Sequence, residues 1–464
     1  MYKPLDAGIF QDIPDYSRTG STTTRIPEAI DIVIEIDDLD YPTDYKKISY
    51  ACYKANTYDN NQKVLIRFGD KTYTIQNPDG GDTVFIIRKS NVYLQGTPKT
   101  VLYFPQDNQP INPAQFWTCS SFFNIKGDED DKSIEIIRAR RGQDYLYVDT
   151  SQLNIESGDY IRLSVNNSTE LVPKYTAKKF LKPEWKNIHT NGISISKVYQ
   201  IKDIECHKIY LTEPIHDDIT DEWVISKINS IENIGIDCIT FKCDLQDYRH
   251  HGSAKDNSGY TPLTFKYTIQ SFVTNCSFQS TSIALTTYEI SFCTFYNNRI
   301  TGNDGHSAIV LTKSTQNLVS ECESTRNNTH TFGVSGACSL NVFYKCKWPA
   351  NNVNELHSSG PMHTLFDNCT GGMYINKSTT SFGGSEVNQP NHLIGLIYWN
   401  FTLLGNKFIN DFYNTETEYD FVIYPRIYGI TGEFVDTFKP KNAQLILNKG
   451  GNMIPQSLYV YQSQ

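Results

Sequence analysis

Along the second half of the chain, one short pattern of apolar and polar positions keeps returning. Two apolar residues are followed by two others and then by a cysteine. Phe272 and Val273 precede Cys276, Leu318 and Val319 precede Cys322, Val342 and Phe343 precede Cys346, and Leu365 and Phe366 precede Cys369. Cys293 keeps half of the pattern, with Glu289 and Ile290 before it, and "LIYWNF" repeats it with Phe401 in the cysteine's place. From Cys276 through Cys293, Cys322 and Cys346 to Cys369 the steps are 17, 29, 24 and 23 residues, about one coil of a solenoid with variable loops. Short β-rich runs separated by Asn, Gly and Ser predict an all-β fold, a single-stranded right-handed parallel β-helix, with the repeated apolar residues stacked inward. The cysteines then read as a buried ladder of small side chains instead of a catalytic or metal set.

The first half carries the same signal less regularly. "KVLIRFGDKTYTI" and "DTVFIIRKSNVYLQGTPKTVLYFP" read as opening coils, whereas "EIIRARRGQDYLYVDTSQLNIESGDYIRLSV" has longer strands and "TAKKFLKPEWKNIHTNG" loses the period. The expected organisation is an N-terminal cap over 1–50, first coils over 51–120 and a β-rich excursion with a loop over 121–230. Main coils follow over 231–410, and a strand-rich cap, or an oligomerisation element, over 411–464.

Composition narrows the class. Aromatics make up 13% of the chain, with 30 tyrosines, against 20% charged residues, which suits a β-rich protein with carbohydrate-facing aromatic surface. A net charge of −9 argues against nucleic acid as the main partner. The start, "MYKPLDAGIFQDIPDY", shows no secretory leader, and no apolar run approaches the roughly 20 residues of a membrane helix. A soluble protein acting outside the cell or on a virus particle is expected, as a monomer or a homo-oligomer such as a trimer. Eleven cysteines without a CxxC pair give no sign of a zinc site. No P-loop, dinucleotide fingerprint, GxSxG or HExxH is present.

Further motifs carry a resemblance. "PDYSRTG" at Pro14 to Gly20, "RIP" at Arg25 to Pro27, "GDKTY" at Gly69 to Tyr73, "SNVYLQGTPKTVL", and "IGIDCITF" at Ile234 to Phe241 resemble a branch of the pectate-lyase-like superfamily of parallel β-helix proteins. The resemblance spans most of the chain and implies the solenoid fold. That superfamily holds polysaccharide lyases, polygalacturonase-type hydrolases, tailspike depolymerases and non-catalytic adhesins, so the fold does not choose among them. Polygalacturonase-type members carry an adjacent "DD" and a "GHG" on successive coils; here "GNDGHSAI" is only an echo.

Histidines supply the main chemical signal. Of ten, five (His306, His330, His357, His363 and His392) fall between positions 306 and 392, at steps of 24, 27, 6 and 29 residues. Residues one coil apart stack at about 4.8 Å, so these side chains are expected to line up along one face. The competing interpretation is a set of isolated turn histidines bonded to loop backbone. A uronate lyase needs a positive group or metal on the substrate carboxylate, a base for the C5 proton and an acid for the leaving oxygen. His306, His330, His357 and His363 are the candidate catalytic residues, with Arg249, Asp304, Arg326, Lys345, Glu355, Asp367 and His392 as substrate-binding candidates. Arg326 or Lys345 offers the positive charge. Calcium on Asp304, Glu355 and Asp367 is the alternative, although no compact calcium loop is visible, and otherwise no cofactor is expected. The polar segment "DLQDYRHHGSAKDNSGY" holds Arg249, His250, His251 and Lys255, and either folds over the groove or is a solvated loop. The favoured expectation is β-elimination of an acidic polysaccharide. Its alternatives are a glycoside hydrolase using the carboxylates and a non-catalytic carbohydrate-binding or structural protein.

Overall fold

A computed structural model of the chain describes residues 13–179, 181–373, 384–405, 421–432 and 445–464. Residues 1–12 of the expected N-terminal cap, and parts of the last coils and of the C-terminal cap, lie outside the described residues. The architecture is a right-handed parallel β-helix. Three parallel sheets form its walls, the first running its length and the other two ending earlier, and successive strands of each sheet come from successive coils.

The first sheet takes one strand per coil from Ile32–Glu35 to Leu445–Lys449, so its ladder continues past residue 410. The second runs from Thr72–Thr74 through Val101–Phe104, Thr240–Cys243, Ser277–Gln279 and Arg299–Thr301 to Glu323–Ser324. The third holds Phe85–Ile87, Phe123–Lys126, Leu263–Lys266, Ile283–Tyr288, Gly305–Thr312, Asn328–Ser335 and Glu355–His357.

Register explains the repeat and corrects one step of it. Val273, Phe295, Val319, Phe343, Phe366 and Tyr398 pair in sequence across the first sheet. Three residues after each come Cys276, Asn298, Cys322, Cys346, Cys369 and Phe401. Asn298, not Cys293, therefore holds the slot after Cys276. Its amide fills the role by donating to Val273 O at 2.8 Å and accepting from Cys276 N at 3.0 Å. The cysteine thiols point the same way, Cys322 to Phe295 O and Cys346 to Val319 O at 3.3 Å, and Cys369 to Phe343 O at 3.2 Å. Every cysteine is unpaired. Inside the same coils Phe343, Phe366 and Tyr398 stack face to face at 4.8 and 5.3 Å, which locks the register of consecutive turns.

Both ends are dressed by local elements. Helix Asp44–Ala55 starts at Thr43, whose side chain accepts from Lys46 N, and carries Asp44 in its first turn and Lys54 in its last. Its buried stripe Ile48, Ala51, Cys52 and Ala55 follows helical spacing and closes the first coils. The "PDYSRTG" motif is a strap over the outer face of the first sheet. Tyr16 is buried with Leu340, Leu365, Trp399 and Leu458, and Ser21 N and Thr22 N bond Thr294 and Gln270. Gly20 is required here: at φ +98° its backbone lies so close that a Cβ would sit 2.8 Å from Thr294 Oγ1.

The excursion leaves and rejoins the ladder at one place. Gly127 N and Ile231 N bond the neighbouring carbonyls of Lys266 and Tyr267, and between them lies a seven-stranded antiparallel sheet. Trp185, Trp223, Leu163 and Ile225 form its core, which Met362 and Leu393 of the solenoid join. Among the described residues no helix is long and apolar enough to cross a membrane.

Candidate functional site

The third sheet carries the densest chemistry. Glu355 and His357 stand two residues apart on the short strand Glu355–His357, which pairs with Asn328–Ser335, the strand holding His330. That strand pairs in turn with Gly305–Thr312, which holds His306. Alternation puts residues two apart on one face, and the parallel ladder sets adjacent coils side by side. The rings of His306 and His330 lie 4.9 Å apart, and those of His330 and His357 5.3 Å apart.

The loop between Cys243 and Leu263 extends this row. His250 and His251 approach His306 with ring centroids at 5.8 and 5.2 Å, and each other at 3.9 Å. Buried Asp256 shapes the loop by accepting from Arg249 N at 3.0 Å and Ser253 Oγ at 2.7 Å. Ser258 Oγ ties the loop to Phe116 O, and Asn303 Nδ2 donates to Leu245 O. Tyr248 packs beneath, its hydroxyl 2.7 Å from Thr329 Oγ1 and 3.3 Å from His306 Nδ1. His251 Nδ1 lies 2.9 Å from Asn257 Oδ1, which fixes the orientation of its ring. Beside the loop, Asp107, Pro110, Pro113, Phe116 and Lys255 line a cavity of about 510 Å³.

Crowding sets the charge states. Burial, reinforced by the surrounding imidazoles, pushes His306 down to about 2, so it is neutral at ordinary pH. His250 is lowered for the same reasons. Burial alone would also lower His330, but the Glu355 carboxylate overrides it and holds His330 above its ordinary value. Glu355, which burial would raise, is held down by His330. His330 Nδ1 is 2.8 Å from Glu355 Oε2, but the direction is not that of a hydrogen bond, and buried Glu355 Oε1 has no partner. Donor atoms of His330, Glu355 and His357 lie within 4.8 Å of one another, as do those of His250, His251 and His306.

The remaining candidates lie elsewhere or are engaged. Arg249 is exposed on the loop next to His250, and exposed Asp304 caps Asn327 N at 3.2 Å. Arg326 is sealed inside the coils and donates to Asn328 Oδ1, Asn303 O and Thr281 Oγ1; burial lowers it to about 10. With every arm engaged, its guanidinium is a brace between coils. Lys345 follows a first-sheet strand, half exposed and 3.8 Å from Glu321. Asp367, also on the first sheet, is buried and anchors the C-terminal helix by accepting from Ser457 Oγ at 2.7 Å and Tyr459 N at 2.8 Å. Asp304, Glu355 and Asp367 do not converge among the described residues.

His363 and His392 belong to the junction between solenoid and excursion. His363 is packed near Tyr175, and burial together with the nearby Lys197 charge lowers it to about 3. His392 is fully buried, with Nε2 3.0 Å from Thr364 Oγ1, and burial lowers it to about 4. The structure thus brings together His306, His330, His357 and Glu355 and sets His363 and His392 apart. Tyr248 was not legible as a partner; the His250-His251 doublet was the one signal that the loop belonged to the row.

Comparison with known proteins adds the following. A family model described as a domain of unknown function (DUF4955) matches residues 327–464, which include His330, Glu355 and His357. No curated protein matches the chain in sequence. Among solved structures, a tailspike of Acinetobacter baumannii bacteriophage AP22, in complex with capsular saccharide, is similar at 10% identity and a TM-score of 0.45, over 86% of this chain and 58% of its own. The tailspike of Pseudomonas phage LKA1 gives 9% and 0.40, over 84% and 64%. The mannuronan C-5 epimerase A-module of Azotobacter vinelandii gives 10% and 0.31, over 91% and 92%. The chain thus spans about six tenths of the two tailspikes. At such identities, function has to be argued from the residues of this chain.

Proposed function

We propose that the chain is a carbohydrate-active enzyme that cleaves an acidic, uronate-containing polysaccharide by β-elimination along the histidine row. The observation that carries this reading is the contiguity of five imidazoles, His250, His251, His306, His330 and His357, across neighbouring coils. A row of this kind offers repeated hydrogen-bonding groups at the coil spacing, which suits a ligand that itself repeats. Exposed Trp117, with Phe116 beside the cavity, gives sugar rings an apolar face to stack on.

His306 is the base in this reading: burial keeps it unprotonated, and the positive charge it gains with the proton is offset by the negative charge left on Tyr248 as that hydroxyl gives up its own proton in the same step. Tyr248 occupies the Nδ1 side, leaving Nε2 to take the C5 proton as the C4–oxygen bond breaks and the C4=C5 double bond forms. The leaving oxygen takes its proton from the Tyr248 hydroxyl. The imidazolium then gives its Nδ1 proton across the 3.3 Å contact to the tyrosinate, the C5 proton stays on Nε2, and exchange with solvent (Nε2 losing its proton, Nδ1 regaining one) resets the pair.

The test is ultraviolet absorbance of the unsaturated uronate during incubation with a panel of acidic polysaccharides. A rise with the natural chain, lost in His306→Ala with the fold intact, is expected. New reducing ends without absorbance, or full activity in His306→Ala, would overturn the mechanism.

A further inference from the structure

We propose that His330, Glu355 and His357 form a binding site for one divalent transition-metal ion, with zinc as the reference ion. The geometry starts from the backbone. Glu355 and His357 project from the same face of one strand and His330 comes from the neighbouring strand, so all three ligands stand on paired β-structure and not on a loop. Their donor atoms lie within 4.8 Å of one another, and His330 Nδ1 and Glu355 Oε2 only 2.8 Å apart. Two donors each about 2.1 Å from one ion, at tetrahedral or octahedral angles, are about 3 to 3.4 Å apart, so small side-chain rotations close the set.

The hydrogen-bond accounting points the same way. Glu355 is only 2% exposed, yet its Oε1 accepts from nothing, and His330 Nδ1 beside it makes no properly directed hydrogen bond. A buried carboxylate oxygen without a partner costs several kcal/mol unless something else satisfies it. Arg326 is already engaged on all sides, and no lysine pairs with Glu355 among the described residues. A cation held between the carboxylate and the two imidazoles satisfies the whole group.

Donor type selects the ion. Calcium and magnesium prefer sets made of oxygen, whereas two imidazoles and one carboxylate suit zinc and its first-row neighbours. Three protein ligands leave at least one coordination position open, and His306 is the nearest further imidazole to His330 on the neighbouring coil. If the elimination reading holds, that position takes the substrate carboxylate, a duty that buried Arg326 and distant Lys345 do not perform; the ion site itself rests on geometry alone.

The site is tested on the full chain without sugar. Chelator-treated protein is dialysed against zinc, bound metal is counted by atomic emission, and affinity is read by competition with a chromophoric chelator. One ion per chain is expected. His357→Ala and Glu355→Gln should each weaken binding by at least about 100-fold, since even outer-shell partners of a metal are worth about 10- to 100-fold. His357 is partly exposed, so its truncation leaves the core untouched, and thermal melts of both variants check the fold. The His250→Ala, His251→Ala double variant should bind as the natural chain does. Cobalt in place of zinc should give visible absorption bands that His357→Ala removes. Failure of the natural chain to take up zinc or cobalt would overturn the proposal. So would binding that survives both His357→Ala and Glu355→Gln but is lost in the His250, His251 pair, which would move the ion to the loop. Because no polysaccharide is present, neither result depends on whether the chain cleaves one.

Discussion

Two regions of this molecule combine histidine, carboxylate and cation, and they differ in what the groups face. On the third sheet, His306, His330, His357 and Glu355 line a partly open row, with a carboxylate oxygen that nothing satisfies. At the junction, His392, Lys197, Asp217 and Tyr175 are buried between solenoid and excursion, with His363 half-buried beside them, and Tyr175 donates to Asp217 Oδ1 at 2.6 Å. Similar residue types thus serve an accessible surface in one place and hold two bodies together in the other. The largest expected effect tests that division directly. His306→Ala should lower elimination by about 100- to 10,000-fold with an unchanged melting temperature. His363→Ala should leave turnover within about twofold but cost about 1–3 kcal/mol in urea unfolding. Comparable losses of turnover from both would erase the distinction.

The junction has its own electrostatic test. Lys197 is buried, its Nζ makes no hydrogen bond, and it stands 4.0 Å from Asp217 Oδ2. Burial lowers Lys197, while Asp217, which burial would raise, is held down by the lysine charge. Removing one member of such a pair strands the other. Lys197→Met should therefore cost about 3–5 kcal/mol, and adding Asp217→Asn should recover much of that loss. A double variant no better than the single would mean that charge is not what the two groups exchange.

Asp367 gives a smaller effect with a definite sign. Burial raises its carboxyl to about 6, against the hydrogen bonds from Tyr459 N, Ser457 and Asn368. The folded chain therefore holds the proton more tightly than the unfolded one. This contribution to stability is complete below the ordinary carboxylate range and is lost as pH rises through about 6. Between pH 4 and pH 7.5 it amounts to up to about 2–3 kcal/mol. Asp367→Asn, which keeps an acceptor for Ser457 and Tyr459, should flatten that part of the stability–pH curve without changing cleavage. An unchanged curve would remove Asp367 from the account.

The solenoid was legible because one coil repeats the demands of the last. The apolar pair and the small inward slot recur at almost every turn, and the misplaced step arose because Asn298 replaces a cysteine with an amide that makes equivalent bonds. Much of the candidate row was legible because coil-spaced histidines fall on neighbouring strands, although they do not share one register position, since His330 pairs with Ser307 and His357 with Ser335. His363 and His392 broke the rule because spacing alone does not say which sheet a residue occupies, and the turns around them carry the chain to the first sheet and the junction. Cysteine spacing spoke against zinc, but it says nothing about two imidazoles and a carboxylate that two paired strands bring together. Arg326 was misleading for a different reason. Its charge was visible in sequence, whereas its three engaged arms depend on Asn303 and Thr281 from earlier coils.

The smallest expected effect concerns Lys345, and it again separates the row from the rest of the surface. Positions 275, 297, 321, 345, 368 and 400 all turn the chain out of the first sheet with φ between +48° and +55°. Asparagine fills four of these corners because its short side chain tolerates the left-handed conformation; Lys345 and Glu321 fill the others at a conformational cost. Replacing Lys345 with Asn loses an exposed ion pair to Glu321 at 3.8 Å and a contact over the Tyr344 ring at 4.9 Å, each worth about 0.5 kcal/mol or less in solvent. The relieved backbone returns about 1 kcal/mol. Lys345→Asn should therefore be neutral to slightly stabilising, by up to about 0.5 kcal/mol in urea, with cleavage and zinc uptake unchanged. A clear drop in cleavage at unchanged stability would place substrate on the first sheet, and the histidine row would then lose its claim to be the site.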